Sequence, residues 1–207
     1  MLRRFVVASL TAAIAVSCRR QSNAIDVAVV FNNSWKLGSE ILNESEIALL
    51  KRTATDALSA AYDGYDIHFI EGTARARTVK VEDTPAISDP RARPVTGAAG
   101  VTYPMSTVSS VRFDVLVSAE MEAARCQDLS HCGKSRDELL RGLGAGIGAT
   151  AAHELGHQLG FRFALDVPCD DCYDGFRSNT KEHFFGKKHW SPRSSAIMTK
   201  VLPPLDR

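Results

Sequence analysis

The run Ala152-His153-Glu154-Leu155-Gly156-His157-Gln158-Leu159-Gly160-Phe161 constrains this chain more than any other feature. Histidines four residues apart lie one turn apart on the same face of a helix, so His153 and His157 can both reach a single metal ion. Glu154 lies beside them, where its carboxylate can take a proton from a water whose pKa a bound zinc ion lowers to about 7. Ala149, Ala151, Ala152, Leu155 and Leu159 make the flanks apolar. A helix of that composition belongs inside a fold, where unpaired polar groups are costly, and this sets the motif apart from a chance match on a solvated surface. The residue types imply hydrolysis assisted by one zinc ion.

At 207 residues and 44% hydrophobic content, the chain is long enough for one core, or one core split by a cleft. The near balance of 25 basic and 24 acidic residues gives no basis for a nucleic-acid partner. Arg3 and Arg4 precede an apolar run, Phe5 to Val16, that is too short to span a bilayer and ends in small residues, the layout of an export signal. Ala15-Val16-Ser17-Cys18 resembles a bacterial lipobox, with Cys18 as the lipid-bearing residue. The expected location is the bacterial cell envelope as a lipoprotein, or the periplasm or exterior. Membrane contact is expected only through that N-terminal anchor, and the protein is expected to be a monomer. Of the five cysteines, four remain beyond the leader, as the close pairs Cys126 with Cys132 and Cys169 with Cys172. In an exported chain, two local disulfides are the simplest of three connectivities; a second metal site built on Cys169, Cys172 and a nearby histidine is the alternative.

Ile25 to Phe31 reads as a strand, ended by Asn32-Asn33-Ser34. A helix follows from Ser39 or Asn43 to Tyr62, with Ile47, Leu50, Ala54, Leu58 and Ala61 at helical spacing, and Asp63-Gly64 closes it. Tyr65 to Ile70 alternates as a second strand, and a strand-helix-strand crossover implies parallel pairing. His68 within it reads as a packed side chain. Residues 71–100 read mainly as loop, with a short strand at Thr78 to Val81 and with Arg75, Arg77, Arg91 and Arg93 solvated. Val101 to Met105 is expected as an edge strand, where Pro104 is tolerable, and Val111 to Val117 as a further strand. Ser135-Arg136-Asp137-Glu138 forms a capping box at the start of the motif helix. Gly142, Gly144, Gly146 and Gly148 each cost about 1 kcal/mol relative to alanine in a helix. They either break the helix or let it lie close against the sheet. Gly160 suits the left-handed turn that ends it.

His153, Glu154, His157 and Gly160 match the first positions of H-E-x-x-H-x-x-G-x-x-H, and the chain here resembles the metzincin metalloproteases. Phe163 stands where their third histidine belongs, and phenylalanine cannot bind zinc. His189-Trp190-Ser191-Pro192-Arg193-Ser194-Ser195-Ala196-Ile197-Met198 resembles the segment of matrix metalloproteinases that runs from the third histidine to the methionine turn. Leishmanolysin-like members likewise carry an insertion between the glycine and the last histidine. The resemblance implies that residues 161–188 form such an insertion, that His189 is the third ligand and that Met198 is the methionine of the turn. His183 is the runner-up ligand, and Asp166 or Asp174 the choice in an aspartate variant. Lys200 replaces the tyrosine that some metzincins carry two residues after the methionine.

The resemblance also implies an α+β fold: a metzincin-like twisted mixed sheet with two main helices, an active-site helix carrying the motif, and a small C-terminal subdomain with the methionine turn. The expected layout is a leader over residues 1–18 and one catalytic domain over 24–207, divided at 160/161 into N- and C-terminal subdomains. The implied activity is that of a zinc endopeptidase acting on a peptide or protein, with Glu154 as general base and the extended substrate paired to the edge strand. The alternatives are a zinc amidohydrolase acting on a non-protein polymer, and an inactive binding protein on a protease scaffold. Zinc content paired with cleavage of unfolded protein separates the three.

Overall fold

The computed structural model describes residues 24–83, 98–127, 131–161 and 164–205. Arg3, Arg4, Cys18, Arg91, Arg93 and Phe163 lie outside them. The elements in chain order are β1 (Ile25–Asn32), β2 (Lys36–Leu37), β3 (Glu40–Ile41), α1 (Glu44–Ala61), β4 (Ile67–Glu71), β5 (Arg77–Glu82), β6 (Gly100–Thr102), β7 (Val108–Arg112), α2 (Phe113–Ala123), α3 (Arg136–Gln158), α4 (Lys181–Phe185) and α5 (Pro192–Val201).

A five-stranded sheet has the order β4-β1-β5-β7-β6. Its first four strands run parallel, as the crossover through α1 requires, and β6 closes one edge antiparallel to β7. Val27, Ala28 and Val29 of β1 are buried, as are Val79 and Val81 of β5, which suits strands lying within a parallel sheet. The Thr78 to Val81 segment is therefore an inner strand of the sheet.

Four expectations are corrected. Phe113 begins a helix, so the strand expected over Val111 to Val117 stops at Arg112; Phe113, Leu116, Val117, Ala119 and Glu120 are its buried residues, at helical spacing. β6 ends at Thr102 because Tyr103 to Ser106 turn, with Ser106 N–H donating to Tyr103 O at 2.9 Å and Met105 in the left-handed region at φ 61°. Arg77 is not merely solvated: its guanidinium donates to Gln158 O at 2.8 Å, satisfying a carbonyl in the last turn of α3. His68 is exposed rather than packed, standing 3.5 Å from Asp26 and 3.3 Å from Asp66.

The glycine-rich stretch of α3 is continuous helix, N-capped by Ser135 in a full capping box with Glu138. Residues four apart share a face and residues two apart lie nearly opposite. On one side, a side chain on Gly148 would overlap the Ala54 carbonyl and Ala57 of α1, and one on Gly144 would press on Leu50 O and Thr53. On the other side, Gly142 and Gly146 meet Phe185 and Phe184 of α4. The glycines thus admit helices against both flanks of α3, and the close approach is to helices rather than to the sheet. Arg136 at the start of α3 donates to Glu46 at 2.5 Å and Glu40 at 2.6 Å, tying its first turn to that of α1. Tyr62 donates to Ala152 O at 2.8 Å, anchoring the motif segment to the end of α1.

Candidate metal centre and active site

The last turns of α3 carry His153 and His157 with ring centroids 5.0 Å apart. His153 Nδ1 lies 2.9 Å from Tyr173 O. A carbonyl only accepts, so Nδ1 bears the proton and Nε2 keeps its lone pair free for a metal, the orientation that outer partners impose on ligating histidines. Gly160, at φ 93°, turns the chain out of the helix, and the buried Phe161 begins its return. That return brings Asp166 to the pair: Oδ1 lies 3.4 Å from His153 Nε2 and Oδ2 4.0 Å from His157 Nε2. Asp166 sits at φ 61°, a left-handed conformation that aspartate tolerates better than most side chains. The ligand-type atoms of His153, His157 and Asp166 all lie within 4.8 Å of one another.

Glu154 is 5% exposed and projects beneath the edge strand. Its Oε2 accepts from Thr102 Oγ1 of β6 at 2.6 Å. Burial raises its carboxyl above the ordinary range, while the neighbouring His153 and the Thr102 hydroxyl favour the ionised form. Burial also disfavours charge on His153, but Asp166, Glu154 and the Tyr173 carbonyl outweigh it and the net shift is upward. Asp166 is held below the usual carboxylate range, first by the His153 imidazole that it faces. Burial, with His153 second, lowers His157. Gly100, Thr150, His153, Glu154, Asp166 and Tyr173 line one cavity of about 150 Å³, so two members of the candidate metal group share a cleft with Glu154.

Two imidazoles and one carboxylate, with space beside them, are a donor set that suits zinc in a catalytic site. Among the described residues this group contains Asp166 and not His189. His189 stands in a second group with Cys169, Asp171 and Cys172; its Nε2 is 3.6 Å from Cys172 Sγ and its Nδ1 3.9 Å from Asp171. The structure therefore does not bring His189 to the histidine pair. The reason is local: the backbone of His189 pairs with Asp171 and Tyr173, which turns its side chain toward the cysteine loop.

His183 lies in α4, 6% exposed, with Nε2 at 3.1 Å from both Gly146 O and Thr150 Oγ1. Burial pushes it down to about 3, so it is a neutral core histidine. Asp174 is fully buried and accepts from the Ser191 hydroxyl, from Ser191 N at 3.1 Å and from Ser194 Oγ at 2.8 Å, at the N-terminus of α5. Met198 is buried on that helix, so residues 192–201 are helical where a turn was expected. The signal for this helix was present: Ser191 caps it and Pro192 occupies its first turn. Cys126 pairs with Cys132 and Cys169 with Cys172, so the cysteines of the C-x-x-C segment are joined to each other. Lys188 donates to Asp170 O at 2.9 Å and to Cys172 O at 3.1 Å, bracing the loop that presents Tyr173 O; burial lowers it to about 8. Neither Lys188 nor Tyr173 stood out in the sequence, because both act through backbone carbonyls.

No protein-family model and no curated protein matches the chain. Among solved structures it is similar to archaemetzincin from Methanopyrus kandleri, with 11% sequence identity and a TM-score of 0.49 over 87% of this chain and 97% of that one.

Proposed function

We propose that this protein is an exported zinc-dependent endopeptidase of the metzincin type, in which His153, His157 and Asp166 hold the metal and Glu154 is the general base. The observation that carries this reading is the convergence of His153, His157 and the Asp166 carboxylate in one group of ligand-type atoms, with His153 and Asp166 lining a cleft that Glu154 shares. When bound, zinc supplies a Lewis acid that polarises a carbonyl and makes a bound water acidic near neutral pH. Tyr173 O keeps His153 in the tautomer with Nε2 free. Glu154 Oε2 is taken by Thr102, so the proton passes to Oε1, from which it is returned to the departing amine. Among the described residues β6 lies at the sheet edge and pairs with β7 alone, so its outer side offers backbone groups to which an extended peptide can add as a strand. The two disulfides accord with an oxidising compartment, and Cys18 is the proposed lipidation site.

Elemental analysis of the purified protein, paired with digestion of a peptide library, tests the reading. One zinc ion per chain with internal cleavage of peptides is expected. Zinc without cleavage favours an amidohydrolase acting on another polymer, and absence of zinc favours a binding protein.

A further inference from the structure

The general base is held by a chain of hydrogen bonds that crosses from its own helix through two strands and back. Gln158, at the end of α3, directs its side-chain amide nitrogen to Thr78 O at 3.1 Å and to Ser109 Oγ of β7 at 2.7 Å. Ser109 Oγ is 2.6 Å from Thr102 Oγ1 on β6, and Thr102 Oγ1 is 2.6 Å from Glu154 Oε2. The two ends settle the direction. An amide nitrogen only donates, so Ser109 accepts from Gln158 and keeps its own proton to give. A carboxylate only accepts, so Thr102 spends its single proton on Glu154 and must accept from Ser109. The alternative acceptor for both hydroxyls, Glu154 O, lies farther off, at 3.1 Å from Thr102 and 3.3 Å from Ser109.

We propose that Thr102 is a positioning residue for the reaction: its hydroxyl, oriented by Ser109 and Gln158, holds one Glu154 oxygen so that the other, Oε1, remains the proton acceptor. This rests on the reading of Glu154 as the base. Gly100, two residues earlier on the same strand, supports it independently. A side chain there would overlap Glu154 Oε1, Cγ and Cδ, so the glycine makes the room in which the Glu154 side chain lies against β6 within reach of Thr102. Ser109 is 1% exposed, so its hydroxyl has little access to water and its bond to Thr102 is not readily exchanged for solvent. The edge strand therefore carries two tasks on alternate sides: its outer backbone faces substrate, and its threonine orients the base.

Thr102→Val removes the hydroxyl at nearly constant volume, and Thr102→Ser retains it. For the zinc-loaded protein acting on a peptide found by library digestion, Thr102→Val should lower kcat about tenfold or more, with KM and zinc content unchanged. Thr102→Ser should recover most of kcat. In a Glu154→Gln background, Thr102→Val should have no further effect on residual turnover, because the group it orients is gone. Wild-type kcat in Thr102→Val would overturn the proposal, as would equal losses in the valine and serine variants or a further loss in the Glu154→Gln background. A wild-type protein that binds zinc and cleaves no peptide overturns the endopeptidase reading itself, and the positioning role with it.

Discussion

Asp166 Oδ1 lies 3.4 Å from His153 Nε2, across the turn that ends the long helix. Its carboxylate joins the two helix histidines in a group whose atoms could hold a metal ion. Asp166→Ala should therefore weaken zinc binding by more than about 100-fold and abolish peptidase activity, as expected for loss of a direct ligand. His189→Ala should keep the zinc, because His189 stands with Cys172 and Asp171. Competition with a chromophoric chelator reads both variants; zinc loss in His189→Ala with retention in Asp166→Ala would return the third-ligand role to His189.

Glu154→Gln keeps the side chain's shape and removes its capacity to accept a proton. Glu154 is absent from the ligand group, so the variant should bind zinc as the wild type does while kcat falls about 100-fold or more. Parallel metal analysis and single-turnover cleavage check this, and full activity would remove Glu154 from the mechanism.

Gly148→Ala sets two effects against each other. Alanine gains about 1 kcal/mol in helix propensity, but its methyl group would overlap the Ala54 carbonyl and Ala57 of α1. Backbone cannot move aside as a side-chain tip can, and overpacking of this kind costs about 1–3 kcal/mol. Net destabilisation is expected, read as a lower urea midpoint. A higher midpoint would show that the two helices separate without penalty.

Glu120 is fully buried beneath α3, and neither carboxyl oxygen has a side-chain hydrogen-bond partner. Burial pushes its carboxyl up to about 9, against smaller opposing pulls from the Leu143 backbone and Lys134. The folded state therefore retains a proton that the unfolded chain releases near the ordinary carboxylate value. Stability from this group is complete below that value and is lost as pH rises toward 9, at up to about 1.4 kcal/mol per pH unit. Glu120→Gln should flatten this part of the pH dependence and be more stable than the wild type at pH 8. Urea unfolding at pH 5 and pH 8 measures the difference.

The periodicities of the chain were enough to place β1, α1 and β4, and the capping box at Ser135 marked the start of the motif helix, whose continuity through the glycines the sequence left open. His153, Glu154 and His157 were legible because their relation is internal to one helix, where spacing alone fixes the shared face. The Phe113 to Val117 segment misled because an alternating apolar run and a helical stripe share their first few positions; burial of Phe113, Leu116, Val117 and Glu120 separates them. The third ligand was open to tertiary structure alone. Asp166, His183, His189 and Asp174 all lie downstream of Gly160, and sequence distance says nothing about where a returning loop aims its side chains. The left-handed turns at Gly160 and Asp166 aim one carboxylate at the histidines, whereas burial takes His183 and Asp174 into the core and backbone pairing turns His189 toward Cys172. The same holds for Thr102 and Tyr173, which reach the motif only because an edge strand and a stapled loop pack beside α3. Local spacing determined which residues could perform hydrolysis, and long-range packing decided which partners hold them, because contacts between distant segments form only when the whole core is assembled.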